Sequence, residues 1–233
     1  MNWALLLLLL ALPAAARDLY LWPSSFFVSP GERITVWFNQ GDVVPSSTDA
    51  LNLNLLRDYS LVTKYAEYNI TGLHLEPKAI SGQARIPRKG EMLLTARTNP
   101  SISGNERTQE FAKAILFSKD AGGQFHRVIG FALEIVPDAD PYALHAGEEL
   151  PVRVVWRGKP APGLTVDATH TTGAPAQPVI AGQTDPEGRI SIRITAPGGW
   201  RLRTNAEAPI SGPASDGGAT QDLFRTSLTF AVR

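Results

Sequence analysis

Apolar residues in this chain return at every second position, and that period is the strongest constraint on its fold. Leu19 and Leu21, then Ile34, Val36 and Phe38, then Ile190, Ile192 and Ile194 each fall on one side of an extended backbone, because successive side chains of a strand point to opposite faces. Ser191, Arg193 and Thr195 are then expected to face away from the core. Pro23, Pro30 and Gly31 punctuate the first runs as turns. Further alternating or apolar runs at Tyr59–Val62, Met92–Ala96, Ala112–Phe117 and Val128–Val136 extend the series. The best window for a helix is Glu106–Leu116, where Phe111, Ala114 and Ile115 would share a face, although it reads equally as the entry to a strand. Short strands at close spacing, without helices between them, predict an all-β protein built as sandwiches. Dinucleotide-binding and P-loop architectures are excluded with the parallel α/β sheet they need.

The pattern resets at Val136–Asp140, where VPDAD is followed by Pro141. Beyond it LPVRVVWRG, GLTVDATH, GRISIRITAP, GWRLRT and LFRTSLTFAV form a second series of strands. The expected organisation is a leader at 1–16, an N-terminal β-rich module at 17–137 and a C-terminal β-sandwich module at 138–233. The stretch Ala208–Gly218, rich in Gly, Pro and Ser, reads as a loop at a sandwich rim, a common place for binding residues.

The first residues, MNWALLLLLLALPAAA, carry an apolar core from Ala4 to Leu12 and the small residues Ala14, Ala15 and Ala16. This is the layout of a secretory signal cleaved after Ala16, and it predicts a periplasmic or extracellular product. Pro13 closes the run well short of the roughly 20 apolar residues that span a bilayer. No membrane span is expected after cleavage.

Lys plus Arg and Asp plus Glu both number 22, for a net charge of zero. The cationic footprint of a nucleic-acid binder is missing. With no cysteine in the chain, disulfides, cysteine-ligated zinc, iron–sulfur clusters and thiol catalysis are excluded.

No catalytic centre emerges from the strings, and neither a cofactor nor a catalytic residue is assigned. GxSxG, SxxK and HExxH are all absent. His74, His126, His145 and His170 show no i, i+2 or i, i+4 pairing, and His170 is the most interesting because it ends an expected strand. Asp138 with Asp140, and Asp185 with Glu187, resemble fragments of calcium loops, but calcium takes about six to eight oxygens. TDPEGR reads better as a tight turn, with Pro186 fixing φ and Gly188 free to take a positive one. Trp22, Phe26, Phe27, Trp37, Trp156 and Trp200 raise a sugar-stacking platform against plain core packing, and Trp22 and Phe26 stand out because they flank a proline turn. The sequon Asn69–Ile70–Thr71 matters only in a eukaryotic secretory route.

Several long strings carry a family resemblance. The run from Asp18 to Asp42, the pattern from Ala132 to Gly163, then TDPEGRISIRITAPGGWRLRT and SLTFAV, together resemble a bacterial exported family of unknown function commonly described as the periplasmic component of nickel or cobalt uptake systems. The resemblance implies a β-rich N-terminal module followed by a prealbumin-like or immunoglobulin-like sandwich. It also implies divalent-metal capture, through a His at the new N-terminus and another shortly after the GWRL run. Here Arg17 takes the first place, and the chain continues Arg203, Thr204, Asn205, Ala206, Glu207 without the second. A guanidinium has no lone pair to give. A segment between Met92–Ala96 and the following strand is also shortened relative to the family, so no metal ligand is carried over.

Two functional readings follow. The first is a non-enzymatic periplasmic binding or accessory protein, linked by the resemblance to nickel or cobalt and so to a metal ion or metal transporter. The second is a structural or adhesive envelope protein that binds a protein or glycan partner.

Overall fold

A computed structural model describes residues 18–46, 50–118, 125–171, 179–210 and 218–233. The alternating runs form strands, and the protein is all-β, with two short 3-10 turns at Leu53–Leu55 and Pro141–Ala143 among the described residues. A four-stranded sheet contains β1 (Leu19–Pro23), β2 (Arg33–Gln40), β6 (Ala79–Arg85) and β5 (Thr71–Leu75) in that order, with antiparallel neighbours. A second sheet is centred on β11 (Glu149–Trp156), which pairs with β10 (Leu133–Pro137), β12 (Lys159–Pro160) and β15 (Arg189–Arg193).

The third sheet has nine strands and runs β14 (Val179–Gln183), β13 (Thr165–His170), β16 (Gly198–Pro209), β17 (Gln221–Val232), β9 (Glu106–Leu116), β7 (Met92–Thr98), β3 (Leu56–Val62) and β4 (Glu67–Asn69). The short β8 (Ser101–Ser103) pairs with β9. Strands from both sides of residue 137 meet in this sheet, where β17 lies parallel to β9, Gln221 opposite Glu106 and Thr229 opposite Ala114.

The register sorts side chains onto two faces of the large sheet. Arg201, Arg203, Arg225, Ser227, Thr229 and Glu110 share one face, and β1 lies across it. Leu202, Leu228, Phe230, Phe111 and Lys113 share the other, and β10 covers that side, with Phe131 against Phe111 and Glu134 against Lys113. The large sheet is thus the middle layer of three. Its central strand β17 is buried along nearly its whole length. One continuous apolar cluster, from Leu19 to Val232, fills both interlayer spaces.

The strand expectations hold closely, with one correction. Of the two readings open for Glu106–Leu116 the strand holds, as β9 throughout. Its apolar residues are shared between both buried faces, which blurs any amphipathic stripe. Of the run Val128–Val136, only Leu133 onward pairs in a sheet. The preceding turn instead gives the backbone N–H groups of Ile129, Gly130 and Phe131 to the carboxylate of Glu134, at 2.6–3.0 Å. The loop expectation at Ala208–Gly218 falls mostly outside the described residues, since 211–217 are not described.

Candidate functional site

The first sheet presents its outward face between two turns. Ile34, Val36 and Phe38 point inward and are buried, so Trp37 and Asn39, in the alternate phase, point outward. The β1–β2 register sets Trp22 opposite Trp37 on the same face. These residues floor an open cleft of about 630 Å³, with Ala79 beside them, Pro45 and Ser46 on one rim, and Glu76, Pro77 and Lys78 on the other.

Each wall is held by named contacts. Trp22 meets Phe26 edge-on, with ring centroids 5.1 Å apart. Its benzo edge lies on the backbone of Gly199, where a Cβ would come within 2.5 Å of the ring. Gly199 is therefore needed for close approach rather than for its dihedral freedom. Trp37 donates its indole N–H to Glu76 Oε1 at 3.2 Å, which orients both side chains. The turn carrying Glu76 is closed by its own N–H donating to the Ala79 carbonyl at 2.9 Å. Asn39 is 3% exposed, and its amide nitrogen is buried without a hydrogen-bond partner. A buried donor left unpaired costs about 1–3 kcal/mol, so this position calls for a reason.

The opposite rim, residues 41–46, is fastened from the large sheet. Arg201 is fully buried and donates to the carbonyls of Gly41 and Asp42, both at 2.6 Å. Its guanidinium lies over the Tyr20 ring, 4.7 Å from the centroid, and Tyr20 donates its hydroxyl to the Val43 carbonyl at 2.7 Å. Arg203 holds Asp18 and Asp167, each at 3.1 Å, and Asp42 as well. The GWRLRT string thus supplies the anchors of a rim that lies some 160 residues earlier in the chain.

Burial sets the electrostatics behind the cleft. Desolvation lifts the Asp18 carboxyl above its ordinary value, outweighing Arg203, Arg225 and Arg201 around it. Glu110, which accepts from the Leu19 N–H at 3.1 Å and from Gln40 at 3.1 Å, is pushed up to about 7 by burial and then by the nearby charge of Asp18. Desolvation raises Tyr20 and lowers Arg201.

The residues singled out from the sequence are widely dispersed. His74 is exposed on β5, His126 is exposed before β10, and His145 is exposed in a turn where its N–H donates to Glu148 at 2.7 Å. His170 is half-buried at the end of β13, 4.9 Å from the Trp200 ring. Among the described residues, no group of three or more His, Asp or Glu side chains is placed to hold a metal ion. Asp140 caps the 3-10 turn by accepting from the Tyr142 N–H at 2.9 Å, and Asp138 lies 3.4 Å from Arg153. Asp185 closes the TDPEGR turn by accepting from Glu187 and Arg189, while Gly188 takes φ +73°. Phe26 and Trp200 are buried, Phe27 packs against Phe117 and Tyr142, and Trp156 lies beside Phe224. Asn69 is exposed at the end of β4.

Residues 14–208 match the family described as a domain of unknown function, DUF4198. The chain belongs to that family. No protein of curated function matches this DUF4198 member. Among solved structures, it is similar to the D0-D1 domain of intimin at 17% identity, covering 91% of this chain and 97% of that one with a TM-score of 0.25. It is also similar to a DUF4785 family protein from Legionella pneumophila at 12% identity and TM-score 0.31, covering 79% of this chain and 50% of that one. The Yersinia pseudotuberculosis adhesin InvE is a third, at 12% identity and TM-score 0.25, covering 92% of this chain and 58% of that one. The chain therefore spans little more than half the length of the last two. Likenesses this distant leave function to be argued from the cleft.

Proposed function

We propose that this DUF4198 member is a non-enzymatic binding protein of the bacterial envelope, exported behind the leader at 1–16, and that the Trp22–Trp37 cleft is its binding surface. The observation that carries this reading is the open cleft itself, floored by two half-buried tryptophans on paired strands, with the indole of Trp37 bonded to Glu76. Ligand sites are commonly concave, mostly apolar and furnished with a few placed polar groups, as this one is. The proposed division into units 17–137 and 138–233 puts the floor in the first and the arginines that hold the rim in the second.

Binding fits the lining better than catalysis does. Among the described residues, Glu76 is the single acidic residue of the lining, and its Oε1 accepts from the Trp37 indole. Glycoside hydrolysis uses a pair of carboxylates, and acyl transfer a nucleophile beside its base.

The test is to incubate the purified mature protein with fractionated envelope extract and follow tryptophan emission and melting temperature. At least one fraction should shift both, and Trp37→Ala should abolish the shift. If no fraction shifts either quantity, the cleft is not a binding site. The nickel or cobalt uptake role rests on family resemblance alone. Calorimetric titration with nickel, cobalt and zinc decides it, and affinities weaker than about millimolar for all three would remove it.

A further inference from the structure

We propose that the cleft takes a neutral oligosaccharide, with a pyranose ring against the outward indole of Trp37 and its hydroxyls shared between Glu76 and Lys78. This rests on the cleft being the binding surface, and it names the class of ligand.

The first argument is the aromatic floor. Trp22 and Trp37 face the same way from paired strands, and both are half-buried. Trp22 is already engaged at its edge by Phe26 and Gly199. The indole of Trp37 is held by its bond to Glu76, which restricts its orientation. An indole held this way offers a flat apolar surface that the C–H face of a sugar ring matches, at little cost in side-chain entropy.

The second argument is the balance of polar groups. Glu76 brings an acceptor, while Lys78 brings donors. Ser24 already accepts from the Thr35 N–H at 3.2 Å, which leaves its own proton to give, and Ser46 adds a second hydroxyl. A sugar hydroxyl is donor and acceptor at once, and so uses both kinds. An anionic ligand would face the Glu76 carboxylate, and a cationic one would face Lys78. The two charges sit on one rim and offset each other there, which favours an uncharged, hydroxyl-rich ligand.

The third argument is shape. The opening of about 630 Å³ falls in the usual range for small-ligand sites and is open rather than closed over. An oligomer can extend beyond it along the sheet. A proline-rich peptide would seek neighbouring aromatic ridges with slots for its own rings, and it would leave Glu76 and Lys78 unused.

The experiment titrates the mature protein with cellotetraose, maltotetraose and chitotetraose, and in parallel with a proline-rich decapeptide, following tryptophan emission. At least one tetrasaccharide is expected to bind saturably. Trp37→Ala should weaken it by about tenfold or more, the loss of one stacking contact and its oriented partner. Glu76→Gln should weaken it less, with the melting temperature unchanged, which keeps the result readable should Trp37→Ala fold poorly. Peptide binding that depends on Trp37, with no saccharide binding, overturns the ligand class and leaves the cleft as a binding surface. Saccharide binding indifferent to both substitutions overturns this assignment of the site. Silence from every probe and every envelope fraction removes both.

Discussion

The two faces of the nine-stranded sheet each bury charge, but they do so in different ways. On one face Lys113 and Glu134, at 1% and 0% side-chain exposure, meet at 2.9 Å. Glu134 also accepts three backbone N–H groups from residues 129–131, so the pair is closed on itself and holds one turn. On the other face, Arg201 and Arg203 reach past β1 to the carbonyls and carboxylate of residues 41 and 42, the start of the cleft rim. The first arrangement locks a core. The second transmits the position of the middle layer to the binding surface.

The largest effect is expected where the closed pair is broken. Glu134→Ala strands a buried ammonium and three backbone donors, and should lower stability by about 3–5 kcal/mol in urea unfolding. Lys113→Met should cost less, because Glu134 keeps its backbone partners and Lys113 is already pushed by burial toward its neutral form. Equal losses for the two variants would break the comparison by showing that the turn contributes nothing.

A smaller effect is expected at the rim. Arg201→Met should cost about 2–3 kcal/mol through the lost charge-assisted hydrogen bonds. Amide exchange at 41–46 should accelerate well beyond that loss, while exchange around 129–131 changes only with global stability. Uniform acceleration would mean that the rim is not separately anchored.

The last effect is electrostatic. Folding holds the Glu110 carboxyl at about 7, above its ordinary 4.5, so the folded protein keeps a proton that the unfolded chain releases. That contribution is full below pH 4.5 and is lost as pH rises through about 7. Stability should therefore decline from pH 5 to 8, and Glu110→Gln should flatten the slope and be the more stable form at pH 8. A parallel slope in the variant would move the cause to Asp18, whose carboxyl is raised in the same direction.

Much of the cleft was within reach of the sequence. Trp37 lies between Val36 and Phe38, so a strand that buries those two must turn Trp37 outward. Trp22 stood out beside its proline. Asn39 and Glu76 carry no motif, and only the pairing of β2 with β6 and the turn at 76–79 brings them together.

The periodicity of this chain determined where its strands lie, and its turn residues determined features such as the positive φ at Gly188. Alternation is a local property that says two faces differ, but not which face meets water. In β16 and β17 the polar face is also buried, because β1 lies across it and Asp18, Ser227 and Thr229 satisfy the groups enclosed there. That outcome, like the parallel meeting of β9 and β17 and the pinning of a distant rim by Arg201, depends on contacts between residues more than 100 positions apart, which only the packed layers decide.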